Sequence, residues 1–166
     1  MKPIGILFLL TSLIAVLTSC DPDTDIDSEK PTIDLTYPET FPLNGDTLYF
    51  GSTATIKLRL QDNNQLGSTR SLSIDMHHNF DHHSHSTEVD ESNLDTAKSP
   101  VNPYVFIQSY DLPPNLNSYD TEIQINLPKQ NEAGLYDSGD YHFFISLTDA
   151  QGWSTQKGLS IKIVHR

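Results

Sequence analysis

Residues 139–147 of the chain read GDYHFFISL and residues 153–164 read WSTQKGLSIKIV, with the short polar segment DAQG (149–152) between them. Apolar and polar side chains alternate along both stretches, which is typical of β-strands with one buried face. The Asp and the Gly of the intervening segment favour a tight turn. The pattern therefore predicts a β-hairpin whose second strand directs Leu159, Ile161 and Ile163 into the core.

The two-residue period continues through residues 31–166, and no segment has the period of an amphipathic helix. Further strands are predicted at these apolar positions: Ile33, Leu35 and Tyr37; Ala54, Ile56, Leu58 and Leu60; Leu72, Ile74 and Met76; residues 104–110; and Ile123, Ile125 and Leu127. About seven short strands in this order predict an all-β fold, an immunoglobulin-like or fibronectin-like antiparallel β-sandwich. Tyr141, near the start of the penultimate strand, occupies the tyrosine-corner position of such folds.

The first residues have the pattern of a lipoprotein leader. Lys2 precedes an apolar run over residues 4–16, as in a secretory signal peptide. Residues 17–20, LTSC, resemble a lipobox, which predicts a signal peptide over residues 1–19 and a lipidated Cys20. An ordinary secreted protein with an unpaired Cys is the alternative. Because Cys20 is the only Cys, the domain is expected to have neither a disulfide nor a Cys-based metal site.

An acidic segment follows Cys20. Residues 20–30 combine acidic residues with chain breakers and predict a disordered tether, so the folded domain is expected over residues 31–166. Such a segment resembles the surface-export signal of Bacteroidota lipoproteins. That resemblance implies a lipid anchor in the outer membrane with the domain at the cell surface, where an outer-membrane receptor or another surface protein is a candidate partner. A solvated linker at the periplasmic face is the alternative.

The formal net charge of −12 limits the kinds of partner that the protein is expected to bind. So acidic a chain is not expected to bind nucleic acid, and it should not adhere to anionic membranes by charge. Cations and basic proteins are the partners that this charge favours.

Five of the seven histidines lie within residues 77–85, HHNFDHHSH. In the predicted sandwich, the strand ending at His77 and the strand beginning near His142 are antiparallel neighbours. Alternation then places both side chains on the outer face of one sheet, with Cβ atoms about 5 Å apart. Such a spacing allows two imidazoles to share one metal ion.

The loop after His77 supplies further ligands if it folds back over the sheet. His83 and His85 are two residues apart and project to one side of an extended segment, and Asp81 lies nearby. The predicted metal ligands are therefore His77, His83, His85, His142 and Asp81. Imidazole and carboxylate ligands suit Zn²⁺ first, and Cu²⁺ or Ni²⁺ would bind the same set. A solvated histidine tract that binds metal loosely is the alternative.

Two segments resemble motifs of a known family. Residues 74–85 (IDMHHNFDHHSH) resemble I-x-I-H-x-N-F-D-x-H-x-H, and residues 139–143 (GDYHF) resemble G-x-Y-H-F. Both motifs mark the Bacteroidota lipoprotein family catalogued as domain of unknown function 4625, and the resemblance extends over about residues 31–164. It implies an immunoglobulin-like fold and a site, but no activity. The implied motif positions are His77, Asn79, Phe80, Asp81, His83, His85 and His142, whereas His78 and His82 fall at variable positions.

Three functions fit these observations. The first is a metal-binding module of the cell envelope, acting in metal scavenging or as an accessory to an uptake receptor. The second is an immunoglobulin-like adhesion or assembly module with a pH-sensitive histidine surface. The third is a metal-dependent hydrolase, which the outer face of a sheet disfavours because it offers no deep pocket. With no nucleophile motif such as G-x-S-x-G in the sequence, a non-enzymatic role is predicted.

Two weaker features lie at the turns. Residues 62–64 (DNN) and Asp149 follow predicted strands at the same pole of the sandwich, where their oxygens would suit Ca²⁺. Simple Asx turns are the plainer interpretation of the same residues. Trp153, just past the hairpin turn, is expected to anchor the hairpin rather than to stack on a sugar.

Overall fold

A computed structural model describes residues 27–83 and 92–166, and these residues form strands, turns and loops without a helix. None of them forms a helix that could cross a membrane. The strands in chain order are β1 (Thr32–Asp34), β2 (Thr47–Tyr49), β3 (Ser52–Ile56), β4 (Arg59–Gln61), β5 (Leu72–His78), β6 (Phe106–Tyr110), β7 (Ser118–Asp120), β8 (Ile123–Leu127), β9 (Gln130–Asn131), β10 (Gly134–Leu135), β11 (Gly139–Thr148) and β12 (Ser154–Val164).

The larger sheet has the strand order β2-β12-β11-β5-β6. Its neighbours are antiparallel except β2, which runs parallel to β12. The hairpin predicted from the sequence is confirmed, since β11 pairs with β12 from Gly139↔Ile163 to Thr148↔Ser154. The longest strands of the fold therefore form its centre, and β5 is added on their other side.

The opposing layer is built from shorter pairings. The order β1-β4-β7 forms one sheet and β3 pairs with β8, all antiparallel. Leu58 and Thr121 join these two parts, because Thr121 donates its backbone N–H to the Leu58 carbonyl at 2.8 Å and its hydroxyl accepts the Leu58 N–H at 3.0 Å. The all-β fold is thus as predicted, and its layers are consistent with a β-sandwich.

The core follows the predicted alternation. The inward rows of β5 and β11 are fully buried, and they meet buried side chains of the opposing layer: Leu72, Ile74, Met76, Tyr141, Phe143, Ile145 and Leu147 against Ile33, Ile56, Leu58, Leu60, Ile125 and Leu127. Each such side chain contributes about 1.5–3 kcal/mol by leaving water. Because a one-residue slip would turn a whole row outward, this burial fixes which side chains lie on the other face.

The predicted tyrosine corner is confirmed. The hydroxyl of Tyr141 donates to the Asp137 carbonyl four residues upstream at 2.7 Å and accepts the Tyr104 N–H at 3.2 Å. A buried phenol is tolerated when its hydroxyl is satisfied in this way. The contact fixes the start of β11 and hence the position of the residue that follows Tyr141.

The strand predicted over Ile33, Leu35 and Tyr37 is shorter than expected. It ends at Asp34 because the Asp34 carboxylate accepts hydrogen bonds from the backbone and the hydroxyl of Thr36, at 2.9 and 2.7 Å, which forms an Asx turn. Four elements of two or three residues, β2, β7, β9 and β10, had no detectable sequence period because they are too short to show one.

The connection after β5 folds back onto the sheet. Lys98 donates its backbone N–H to the Phe80 carbonyl at 2.8 Å, and Asp95 donates its own to the Asp140 carboxylate at 2.7 Å. Gly139 permits this approach, because a Cβ at its position would lie 2.9 Å from the ring of Phe80. Phe80 thus packs on the core face of β11, whereas the contact of Asp95 with Asp140 covers the outer face at the strand's beginning.

Candidate metal centre

The site begins with a cross-strand pair of histidines. In the β5–β11 register His77 lies opposite His142, and their ring centroids are 5.3 Å apart. Both side chains are on the face of the sheet opposite the core, since their neighbours Met76, Tyr141 and Phe143 point inward. The predicted adjacency of the two histidines on one face is confirmed.

His83 comes to this pair from the loop. Its ring centroid lies 5.7 Å from that of His77 and 5.2 Å from that of His142. Its backbone oxygen is 3.2 Å from Nε2 of His142, which is a hydrogen bond when that nitrogen carries the proton. One ring nitrogen from each of the three residues lies within 4.8 Å of the others.

Two carboxylates orient the imidazoles. Asp75 is 3.0 Å from Nδ1 of His77, and Asp81 hydrogen-bonds Nδ1 of His83. The hydrogen bond with His83 is the largest of the effects that lower the pKa of Asp81. A carboxylate on Nδ1 fixes the ring and the tautomer, so that Nε2 would be the ligand nitrogen of His77 and His83 if a metal were bound. The sequence pattern did not single out Asp75, although its place two residues before His77 on the same strand face was a usable signal.

The centre is more enclosed than an open sheet face. His142 was expected to point to solvent, but it is fully buried, because His83 and its loop lie across it. His77 keeps 24% of its side-chain surface exposed and stacks on Phe144 with ring centroids 6.1 Å apart. The site therefore has a buried floor at His142 and an accessible rim at His77 and His83.

The remaining candidate residues lie elsewhere. Asp81 is an exposed partner of His83 and does not belong to the converging group. His78 packs on the ring of Phe80, and burial lowers its pKa. His82 adopts φ 56° and places Nε2 2.9 Å from the Asp95 carbonyl. The predicted ligand His85 and the predicted lipidation site Cys20 fall outside the described residues.

Asn79 and Phe80 of the motif have structural positions. Phe80 is 2% exposed and packs edge-on against Tyr141, with ring centroids 5.3 Å apart. Asn79 donates its backbone N–H to the Asp140 carbonyl at 2.8 Å. Both residues hold the start of the loop against β11, which is what brings His83 over His142.

The donor set suits a borderline transition metal. Zinc binds histidine nitrogens at about 2.0–2.1 Å, and tetrahedral geometry then separates the nitrogens by about 3.4 Å. Nitrogens within 4.8 Å of one another reach that spacing when side-chain rotations move them by about an ångström. Three protein nitrogens also leave a fourth position for water or another ligand.

Comparison with known proteins places the chain in a family. A search of the curated proteins finds no match. The family described as "Domain of unknown function (DUF4625)" matches residues 18–164, which include both histidine-bearing segments and every strand of the sandwich. Because this match spans nearly the whole sequence, the chain belongs to the DUF4625 family.

Proposed function

We propose that the protein is a lipid-anchored protein of the cell envelope whose domain binds one transition-metal ion, Zn²⁺ first, through His77, His83 and His142. The observation that carries the proposal is the convergence of one nitrogen from each residue within 4.8 Å. The Asp75–His77 and Asp81–His83 contacts support it, since such carboxylates accompany metal-binding histidines. Cu²⁺ and Ni²⁺ fit the same nitrogens.

We propose metal capture and transfer as the role of this site. One hollow of the described surface adjoins His142, because its lining includes Asp140 and Ser160, the residue paired with His142 across β11 and β12. A second lies beside Gly67 and Asp149, at the other end of β11. At the rim, His77 keeps 24% and His83 31% of the side-chain surface exposed, so an incoming ligand can reach the ion. A three-nitrogen site with an accessible fourth position favours exchange of the ion with a receptor, as scavenging or delivery requires.

The membrane anchor rests on sequence. Cys20 ends the lipobox-like LTSC, and the acidic segment after it separates the membrane from the domain. If this proposal is right, a Cys20→Ala variant leaves the membrane fraction, and mass spectrometry finds the acyl modification on Cys20 of the parent protein. Unchanged membrane association of Cys20→Ala contradicts the anchor and leaves the metal proposal untouched.

Titration of purified, metal-stripped protein with ZnCl₂ at pH 7.5 tests the metal site. We expect about one equivalent to bind, and we expect His77→Gln to weaken binding by at least tenfold through loss of one ligand. His82→Asn is the matched control, because it removes an imidazole from the same loop and Asn tolerates the φ of 56°. Absence of binding, or equal loss in both variants, would contradict the assignment.

A further inference from the structure

Three carboxylates meet at the end of the sandwich where β11 turns into β12. Asp149 directly follows β11, Asp62 directly follows β4, and Asp27 is the first described residue of the chain. One oxygen from each lies within 4.8 Å of the others. The sequence pointed to Asp62 and Asp149 as turn residues of one pole, and the structure adds Asp27 from the segment before β1.

In Asp149 and Asp62, hydrogen bonds within the turns use only one of the two carboxylate oxygens. Oδ1 of Asp149 accepts the N–H groups of Gln151, Gly152 and Trp153 at 2.7–2.9 Å. Oδ2 of Asp62 accepts those of Asn64 and Gln65, at 2.9 and 2.7 Å. Simple Asx turns need no more than this one oxygen from each residue.

Asp27 likewise accepts side-chain hydrogen bonds through only one of its carboxylate oxygens. Its Oδ1 accepts the Glu29 N–H at 3.0 Å and the Asn63 amide at 3.2 Å. The indole N–H of Trp153 donates to the backbone oxygen of Asp27 at 3.0 Å, which joins the hairpin end to the segment before β1. These bonds hold the Asp27 side chain against both turns.

The second oxygen of each carboxylate is buried and has no hydrogen-bond partner among the described residues. These atoms are Oδ2 of Asp27, Oδ1 of Asp62 and Oδ2 of Asp149. Asp27 is only 8% exposed and Asp149 only 4%. A buried anionic oxygen without a partner is costly, and three in one place repel one another.

No Lys or Arg forms an ion pair with these carboxylates within residues 27–83 and 92–166. The arrangement thus lacks the charge that normally stabilises buried carboxylates. A bound cation supplies that charge and satisfies all three oxygens together.

We propose that Asp27, Asp62 and Asp149 bind one Ca²⁺ ion. Calcium binds oxygen at about 2.3–2.6 Å, so two oxygens on one ion lie at most about 5 Å apart, and the observed 4.8 Å limit meets this requirement. Waters and nearby carbonyl oxygens complete its six to eight ligands. Mg²⁺ fits less well because it requires a tighter octahedron, and the absence of nitrogen ligands distinguishes this site from the histidine centre.

Calcium at this position fastens the chain's entry into the domain. Asp27 lies within the acidic segment of residues 20–30, whereas Asp62 and Asp149 belong to turns that follow β4 and β11. One ion therefore ties the first described residue to both layers of the sandwich. Bound calcium then holds Asp27 against the domain.

The test uses the single Trp as a reporter. Trp153 is the only Trp in the sequence and contacts Asp27, so Tb³⁺ bound in place of Ca²⁺ should luminesce when Trp is excited. We expect Ca²⁺ to quench that emission by displacement. We also expect 10 mM CaCl₂ to raise the Tm of the EDTA-treated protein by about 4–10 °C, for a Kd of about 10⁻⁴–10⁻³ M.

Amino-acid substitutions show whether the luminescence and the rise in Tm arise at the three carboxylates. Asp149→Asn keeps Oδ1 as the acceptor of the turn and should abolish both signals, as should Asp62→Asn if Asp149→Asn fails to fold. Asp46→Asn is the matched control, because Asp46 caps the Leu43 N–H beside the far end of β12. Trp153→Phe should lose the luminescence but keep the calcium-dependent rise in Tm.

Two outcomes overturn the proposal: no calcium effect at 10 mM, or an equal effect in Asp149→Asn and Asp46→Asn. The result is independent of the histidine centre, since His77→Gln should leave the calcium response unchanged. Loss of zinc binding with an intact calcium response, or the reverse, identifies which of the two sites fails.

Discussion

The carboxylate behind His77 provides the sharpest test of how the histidine centre is built. Asp75 is 3.0 Å from Nδ1 of His77 and does not belong to the converging group itself. Removal of such an outer carboxylate costs about 10–100-fold in metal affinity, which is about 1.4–2.7 kcal/mol. We expect Asp75→Ala to fall in this range. Asp75→Asn should lose less, about three- to tenfold, because its amide oxygen still accepts the Nδ1 proton.

Zinc affinity is measured at pH 7.5 by competition with a chromophoric chelator. Ser73→Ala is the control, because Ser73 lies on the same face of β5, one step further along the strand. Asp75 keeps 37% of its side-chain surface exposed, so all three variants should change metal-free stability by no more than about 0.5 kcal/mol. If Asp75→Ala binds zinc as tightly as the parent protein, the carboxylate does not position His77.

Two further predictions concern the scaffold of the site. Gly139→Ala should destabilise the fold by about 2–4 kcal/mol in urea unfolding, because φ is +148° and its Cβ would meet the ring of Phe80 at 2.9 Å. Gly134→Ala, with φ +122° and open space around it, should cost only about 1–2 kcal/mol, and equal costs would refute the packing explanation. Burial raises the pKa of Tyr104 to about 12 and also raises that of Tyr141. Since the folded state then retains protons that the unfolded state releases, the contribution of these two tyrosines to stability should be constant below pH 10. Stability should fall as pH rises from 10 toward 12, and unfolding that is insensitive to pH over this range would contradict it.

The part of the site that lies on strands was predictable from sequence. Alternation and the order of strands fix both the pairing and the face of His77 and His142, because a slip of one residue would expose a whole apolar row. The burial of His142 was not predictable in the same way. It depends on the path of the loop that brings His83 across the sheet, and loop paths follow from long-range packing rather than from local period.

The proposed calcium site was even less predictable from the sequence than the burial of His142. Asp62 and Asp149 were visible as turn residues, but a turn motif alone does not distinguish an Asx turn from a ligand. The distinction lies in the second oxygen of each carboxylate, whose burial depends on Asp27 and Trp153, 126 residues apart in sequence. A contact at that separation leaves no period or spacing to detect.

The two proposed sites should act independently. His142 and Asp149 are seven residues apart along β11 and its turn, or about 23 Å at the rise of an extended strand. At that distance two divalent ions repel by only about 0.7 kcal/mol at the dielectric constant of water, and salt in the surrounding solvent reduces this further. We therefore expect zinc affinity to be the same in EDTA-treated protein and in 10 mM CaCl₂, and the two rises in stability to add to within about 0.5 kcal/mol. A change in zinc affinity of tenfold or more on adding calcium would mean that the strand or the loop couples the sites, and Asp149→Asn would then have to abolish that change.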